Sequence, residues 1–315
     1  MKKRMVALLL AVMLLSVAGM ASADTFLSIA TGGTSGTYYP LGGDIANLFN
    51  TTIEGVKASA QATGGSAENL RLIQNGEAEL GTVQNDVAAF AFAGTDSFEG
   101  EVIDGFAVLA SLYPEVIQLV ARADSGIVNI EDLKGKRVSV GAAGSGVFFN
   151  AVHILEAAGL SLDDVNAQYL SFSESSDAMK NRQLDAYFTT AGIPNAAITE
   201  LASAADVVMV NLSVEAIDAL IAEKPFYVPF VIPGGTYPGI AEDANTVAVA
   251  AILVGTSDLD EDLVYNMVKN LFEQGPEVLT HAKKVEITLE SALDGVGDLP
   301  LHPGAEKYFL EVGLR

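Results

Sequence analysis

The chain has no cysteine, no tryptophan and only three histidines among its 315 residues. Without cysteine there are no disulfides, no thiol nucleophile, no thiolate metal ligands and no cysteine-linked lipid anchor. His153, His281 and His302 stand far apart in no metal-ligand spacing, so neither a metal nor a cofactor is expected. Basic residues are scarce as well, 17 against 40 acidic, for a formal net charge of −23. Such a surface repels phosphate backbones and anionic lipid headgroups, which argues against nucleic-acid binding. Beyond the N-terminus no apolar run has the ~20 residues of a membrane span. The most apolar stretch, Thr246 to Val254, is strand-length and rich in Val and Ala.

What is present begins with an export signal. Lys2, Lys3 and Arg4 form a basic start, Met5 to Val17 is apolar, and Ala21-Ser22-Ala23 offers small residues before Asp24. This is the pattern of a cleaved signal peptide over residues 1–23, and it predicts a periplasmic or extracytoplasmic location. The remaining length suggests two domains.

From Asp24 onward short β-type runs alternate with helical segments, the pattern of an α/β architecture. Strands are expected at 25–30, 56–61, 80–83, 106–112, 116–121, 137–140, 167–170, 186–189, 207–210, 227–232 and 246–254. Helices are expected at 39–49, 67–75, 86–92, 148–158, 175–181, 195–203 and 214–222, with a mainly helical end from Glu261. Ser66 reads as a helix N-cap and Gly159 as a helix C-terminal glycine. The β stretch from Phe106 to Ala123, interrupted by Tyr113-Pro114, reads as a crossing between lobes, and Phe226 to Tyr237 as the return. Lobe one is then 24–113 with 230–315, and lobe two is 114–229.

Two segments read alike, Ser35-Gly36-Thr37-Tyr38-Tyr39 and Ser145-Gly146-Val147-Phe148-Phe149. Each follows a β run and opens a helix, where unpaired N–H groups and the positive dipole end can hold a small anionic or polar group. One such device per lobe implies two α/β lobes facing one ligand across a cleft. The expected ligand contacts are Thr34, Ser35, Gly36, Thr37, Tyr38 and Tyr39 from the first loop and Gly65 and Ser66 from Thr63-Gly64-Gly65-Ser66. Gln84 and Asn85 follow a third strand, and their amides suit a carboxylate or hydroxyl. The middle lobe offers Ser145, Gly146, Thr189 and Gly192, and Tyr113 and Tyr237 lie near the crossings. Ordinary strand-to-helix turns explain the glycines equally well; the Tyr38-Tyr39 pair is explained less well that way. Neither a phosphate-loop nor a dinucleotide-fold glycine spacing is present. No nucleophile and base assemble, since His153 reads as a helix residue beyond Ser145, so the chain is not expected to be an enzyme.

In joint order, several motifs resemble the TAXI family of TRAP-transporter solute receptors. They are Gly33-Thr34-Ser35-Gly36-Thr37-Tyr38-Tyr39-Pro40, Thr63-Gly64-Gly65-Ser66-Ala67-Glu68-Asn69-Leu70, Gln84-Asn85-Asp86, Leu112-Tyr113-Pro114-Glu115, Gly144-Ser145-Gly146 and Ile232-Pro233-Gly234-Gly235-Thr236-Tyr237. The resemblance implies a two-lobed periplasmic-binding-protein type II fold with a central ligand cleft. It implies a small organic anion as ligand, a glutamate-like amino acid or a dicarboxylate, and an integral membrane TRAP permease driven by an ion gradient as partner. Loops such as Thr34–Tyr39, Gln84–Asn85 and Ser145–Gly146 would line the cleft. Where relatives commonly carry a polar residue after Gly-Ser-Gly, this chain has Val147 and Phe148.

No Arg or Lys lies in the cleft loops, so a carboxylate would be met by N–H groups, hydroxyls and helix ends. Arg71 and Arg122 are the nearest basic residues by sequence. A freely diffusing receptor is expected to be a monomer. Two alternatives stay open: a ligand sensor of the same fold, and an exported hydrolase using Ser35 or Thr37.

Overall fold

The computed structural model describes residues 24–281 and 287–315. The expected signal peptide, 1–23, lies outside the described residues. Ten strands form one continuous sheet: β1 (Thr25–Ala30), β2 (Val56–Gln61), β3 (Leu80–Gln84), β4 (Phe106–Arg122), β5 (Arg137–Ser139), β6 (Asn166–Gln168), β7 (Ala186–Ala191), β8 (Val207–Met209), β9 (Val228–Ile232) and β10 (Ala244–Thr256). The helices are α1 (Tyr38–Thr52), α2 (Ser66–Gln74), α3 (Asn85–Ala93), α4 (Gly146–Ala157), α5 (Phe172–Lys180), α6 (Ala196–Ala204), α7 (Val214–Glu223), α8 (Glu261–Glu273), α9 (Gly275–Val278) and α10 (Pro303–Glu311). No described helix is long and apolar enough to cross a membrane.

The main sheet path is β2-β1-β3-β10-β4-β7-β5-β6. β1, β2 and β3 pair in parallel, as do β5, β6 and β7, while β4 and β10 run antiparallel to their neighbours. Parallel strands joined by helices are covered on both faces, which explains the wholly buried Leu80–Gln84 and Ala186–Ala191. Four apolar clusters result, two per lobe. One packs β1, α1, α8 and α10 around Leu41, Phe49, Met267 and Phe309, and another packs α2 and α3 around Leu70, Val83 and Phe106. In the middle lobe α4 and α7 pack on Ile117 and Phe188, and α5 and α6 on Tyr187, Met179 and Leu201. In α8, Val264, Met267, Val268 and Leu271 make one apolar stripe at helical spacing.

Most expected elements are found within a few residues of their expected limits. The exceptions are physical. Tyr113-Pro114 does not end a strand: β4 runs on to Arg122, with Pro114 opposite Ala250 and register shifts in β10 nearby. Much of the expected return segment, Phe226–Tyr237, packs with the middle lobe. Ile232, Tyr237, Ala244 and Ala248 pack in the middle-lobe core with Val116 and Val120, and the strand reaches the first lobe's core at Ala251. β4 and β10 therefore cross together, paired at Val249 and Glu115. Ser66 is the first helical residue and Gly65, at φ 116°, stands in the N-cap position. The left-handed Gly159 ends α4, and its N–H donates to Glu156 O.

Candidate functional site

The turn after β1 closes by a Gly36 N–H bond to Gly33 O at 2.9 Å and leads into α1. Gly32, Gly33, Ser35, Gly36, Thr37 and Tyr38 border a cavity of about 90 Å³ between the lobes. That space holds a few waters or part of a compact solute. Thr34 is exposed at the loop tip and Tyr39 lies one residue further round the helix; neither lines the cavity. The Thr37 hydroxyl accepts the Gly192 N–H at 3.2 Å, so this N-cap side chain ties the first lobe to the loop after β7.

Thr63, Gly64, Gly65 and Ser66 form the next edge. The Ser66 hydroxyl accepts the Gln84 N–H at 3.1 Å, and Ala67 N–H donates across the cleft to Gly144 O at 3.2 Å. Gln84 ends β3 on the cavity wall; it is 2% exposed, and its Oε1 has no hydrogen-bond partner. Asn85, expected beside it, points elsewhere. Its Nδ2 donates to Gly295 O and its Oδ1 accepts the Ala250 N–H, so the amide is engaged against β10 just past the end of β3.

From the middle lobe come Ala142, Ser145, Gly146, Val147, Ser171, Phe172 and Thr190. Ser145 caps α4, accepting the Phe148 N–H at 3.3 Å. A Cβ on Gly146 would lie 2.3 Å from the Gln84 amide, and one on Gly36 would lie 3.5 Å from the Phe172 ring. The lobes thus meet face to face, with backbone approaching side chain where glycine leaves room.

The remaining expected residues fall behind the wall. Thr189 is buried on the other face of β7, where strand alternation puts the neighbour of Thr190. Gly192 touches Thr37 but does not line the cavity. Tyr237 is buried in the middle lobe, donating to Gln118 Oε1 and accepting from Asn195 N–H. Tyr113 stands behind Glu115 and donates to its Oε1 at 3.3 Å.

Glu115 was not among the expected contacts, yet it lines the cavity. Its Oε2 accepts the Tyr38 hydroxyl at 2.5 Å. Burial pushes this carboxyl up to about 8; the Tyr38 bond opposes the rise, and the charge of Asp86 adds to it. Among the described residues no Lys, Arg or His lines the cavity. Arg71 is held at 2.7 Å by Glu101, and Arg122 by Asp124 and Asp185. Ser171 and Phe172, also unforeseen, come from a helix start whose sequence carries no glycine signal.

A second polar group fastens the lobes away from the cavity. Asp86 at the start of α3 accepts from Asn150 Nδ2 of α4 at 3.0 Å and from the Tyr227 hydroxyl. Asn150 also accepts from Thr190, and His153 bonds both Tyr227 and Asp96. Burial holds the Asp86 carboxyl up at about 6, with His153 opposing the rise. Asp96 is held well below the usual carboxylate range by its bond to His153, with help from Lys224. No histidine bonds Ser35 or Ser145: His281 pairs with Asp44, and His302 caps α10. Among the described residues no group of three potential metal ligands occurs.

The family model described as the NMT1-like family matches residues 29–313. Among solved structures, a Bordetella bronchiseptica RB50 protein matches at TM-score 0.58 with 17% identity, covering 91% of this chain and 82% of that one. A candidate L-cystine ABC transporter of Listeria monocytogenes matches at 0.53 and 14%, covering 85% and 99%. A Xanthomonas citri protein bound to ATP matches at 0.50 and 12%, covering 92% and 96%. These likenesses are of fold, and the fold is the α/β two-lobed architecture of periplasmic binding proteins.

Proposed function

The chain belongs to the NMT1-like family, and we propose that it is an extracytoplasmic solute-binding protein without enzymatic activity. The observation that carries this reading is one small cavity walled by loops of both lobes, from Ser35 to Tyr38 and Gln84 on one side to Ser145, Gly146 and Thr190 on the other. Free N–H groups at the starts of α1 and α4, together with hydroxyls and the unpartnered Gln84 oxygen, suit a small polar solute. A solute touching both walls binds the closed form better than the open one, and that difference drives closure.

At finer resolution the reading is a small organic anion, a glutamate-like amino acid or a dicarboxylate, passed to an ion-gradient-driven TRAP permease. The motif resemblance to TAXI receptors supports it. Export rests on the basic-apolar-small pattern of residues 1–23. We place the lobes at about 24–114 with 250–315 and about 115–249, since the core contacts of β4 and β10 change hands there.

Mass spectrometry of solute retained by gently purified protein, followed by calorimetric titration with amino acids, hydroxy acids and dicarboxylates, tests the reading. Saturable one-to-one binding of an acid is expected. Binding of only neutral sugars or cations would overturn the anion assignment.

A further inference from the structure

We propose that Glu115 determines which solutes the cavity accepts: its carboxylate takes the protonated amine of the ligand, whose own carboxylate lies against the helix-start N–H groups. The inference rests on the solute-capture reading and narrows it to amine-bearing acids, excluding amine-free dicarboxylates.

Three observations carry it. Glu115 is 2% exposed and lines the cavity at the point where β4 and β10 cross between lobes. Its two oxygens each accept one tyrosine hydroxyl, from Tyr38 and from Tyr113, which leaves a lone pair on each for a further donor. Among the described residues no basic side chain shares the wall, so a dianion would face a buried acid there with no compensating charge. An ammonium supplies the missing charge, and a bond of ammonium to carboxylate is among the stronger kinds.

A proton balance follows. The ionisable groups acting on Glu115 are Tyr38 of α1, Tyr113 of its own strand and Asp86 of α3. With its carboxyl pushed up to about 8, Glu115 carries a proton at neutral pH in the free protein. Docking of an ammonium favours the carboxylate, and the proton leaves to the buffer. Asp86, at about 6, is already ionised at pH 7.5 and adds little to the release there.

The test is calorimetry of the chain from Asp24 onward in two buffers of different ionisation enthalpy. The probes are L-glutamate, L-glutamine, L-alanine and L-leucine against their amine-free counterparts glutarate, glutaramate, propionate and 4-methylpentanoate. At least one amino acid is expected to bind about tenfold or more tighter than its amine-free partner, releasing most of one proton at pH 7. Its affinity should rise with pH from 6 to 7.5. E115Q should lose both the preference and the release. Should that variant fail to fold, the proton count on the unaltered chain decides alone. Equal affinity for amine-free acids, or proton uptake on binding, overturns the role of Glu115 while leaving solute capture intact. Binding of no acid in either set overturns both readings.

Discussion

The Tyr38 hydroxyl donates to Glu115 Oε2 at 2.5 Å across 77 residues of sequence, joining the first turn of α1 to the strand that crosses between the lobes. One contact thus links the cavity wall to the crossing strands on which the lobes would turn.

Glu115 should make stability fall as pH rises. In the folded chain the carboxyl keeps its proton to about 8, against 4.5 for an ordinary glutamate. Between those values the folded state binds more protons than the unfolded one, so alkali favours unfolding. E115Q removes the loss. Relative to the parent, its thermal midpoint is expected to be higher at pH 8 than at pH 5 by about 5 °C or more. A difference independent of pH would contradict the buried, proton-bearing carboxyl.

Gly146→Ala should damage binding more than folding. The new methyl would sit 2.3 Å from the Gln84 amide, the end of a side chain whose Oε1 has no partner to lose. That amide can yield, and it forms part of the cavity wall. Calorimetry should show affinity down about tenfold or more, with stability down by less than about 1 kcal/mol.

Asn150 joins Asp86, Tyr227 and Thr190 between α3, α4 and β7. Asn150→Ala strips a donor from a buried carboxylate and an acceptor from a buried hydroxyl. A loss of about 1–3 kcal/mol is expected in urea unfolding. An unchanged midpoint would mean that this contact between the lobes contributes nothing.

Arg71→Ala should leave solute affinity within about twofold, because the guanidinium is spent on Glu101 at the surface. A large loss would place Arg71 in the site.

The alternation of apolar strands and helices was readable because it depends on local spacing, as the fully buried β3 and the apolar stripe of α8 show. The glycine-hydroxyl loops were readable for the same reason: a turn leading into a helix leaves a local signature. What could not be read depends on distant partners. Glu115 sits in the quoted Leu112-Tyr113-Pro114-Glu115 segment, but only the fold brings Tyr38 to it. Asn85 looks like a ligand amide until the N–H of Ala250, 165 residues away, is found to occupy its oxygen. Thr189 and Thr190 are indistinguishable by type, and the phase of β7 decides which faces the cleft. Tyr237 looks like a crossing residue until the fold packs it in the middle-lobe core, with its hydroxyl on Gln118.

The most direct measurement is a crystal structure of the protein with the solute it retains or binds by titration. The account predicts density for one compact molecule between the lobes, in contact with Ser35, Gln84, Glu115 and Gly146. Density in the groove beside Phe226 and Gly295, with the cavity between the lobes empty, would contradict it.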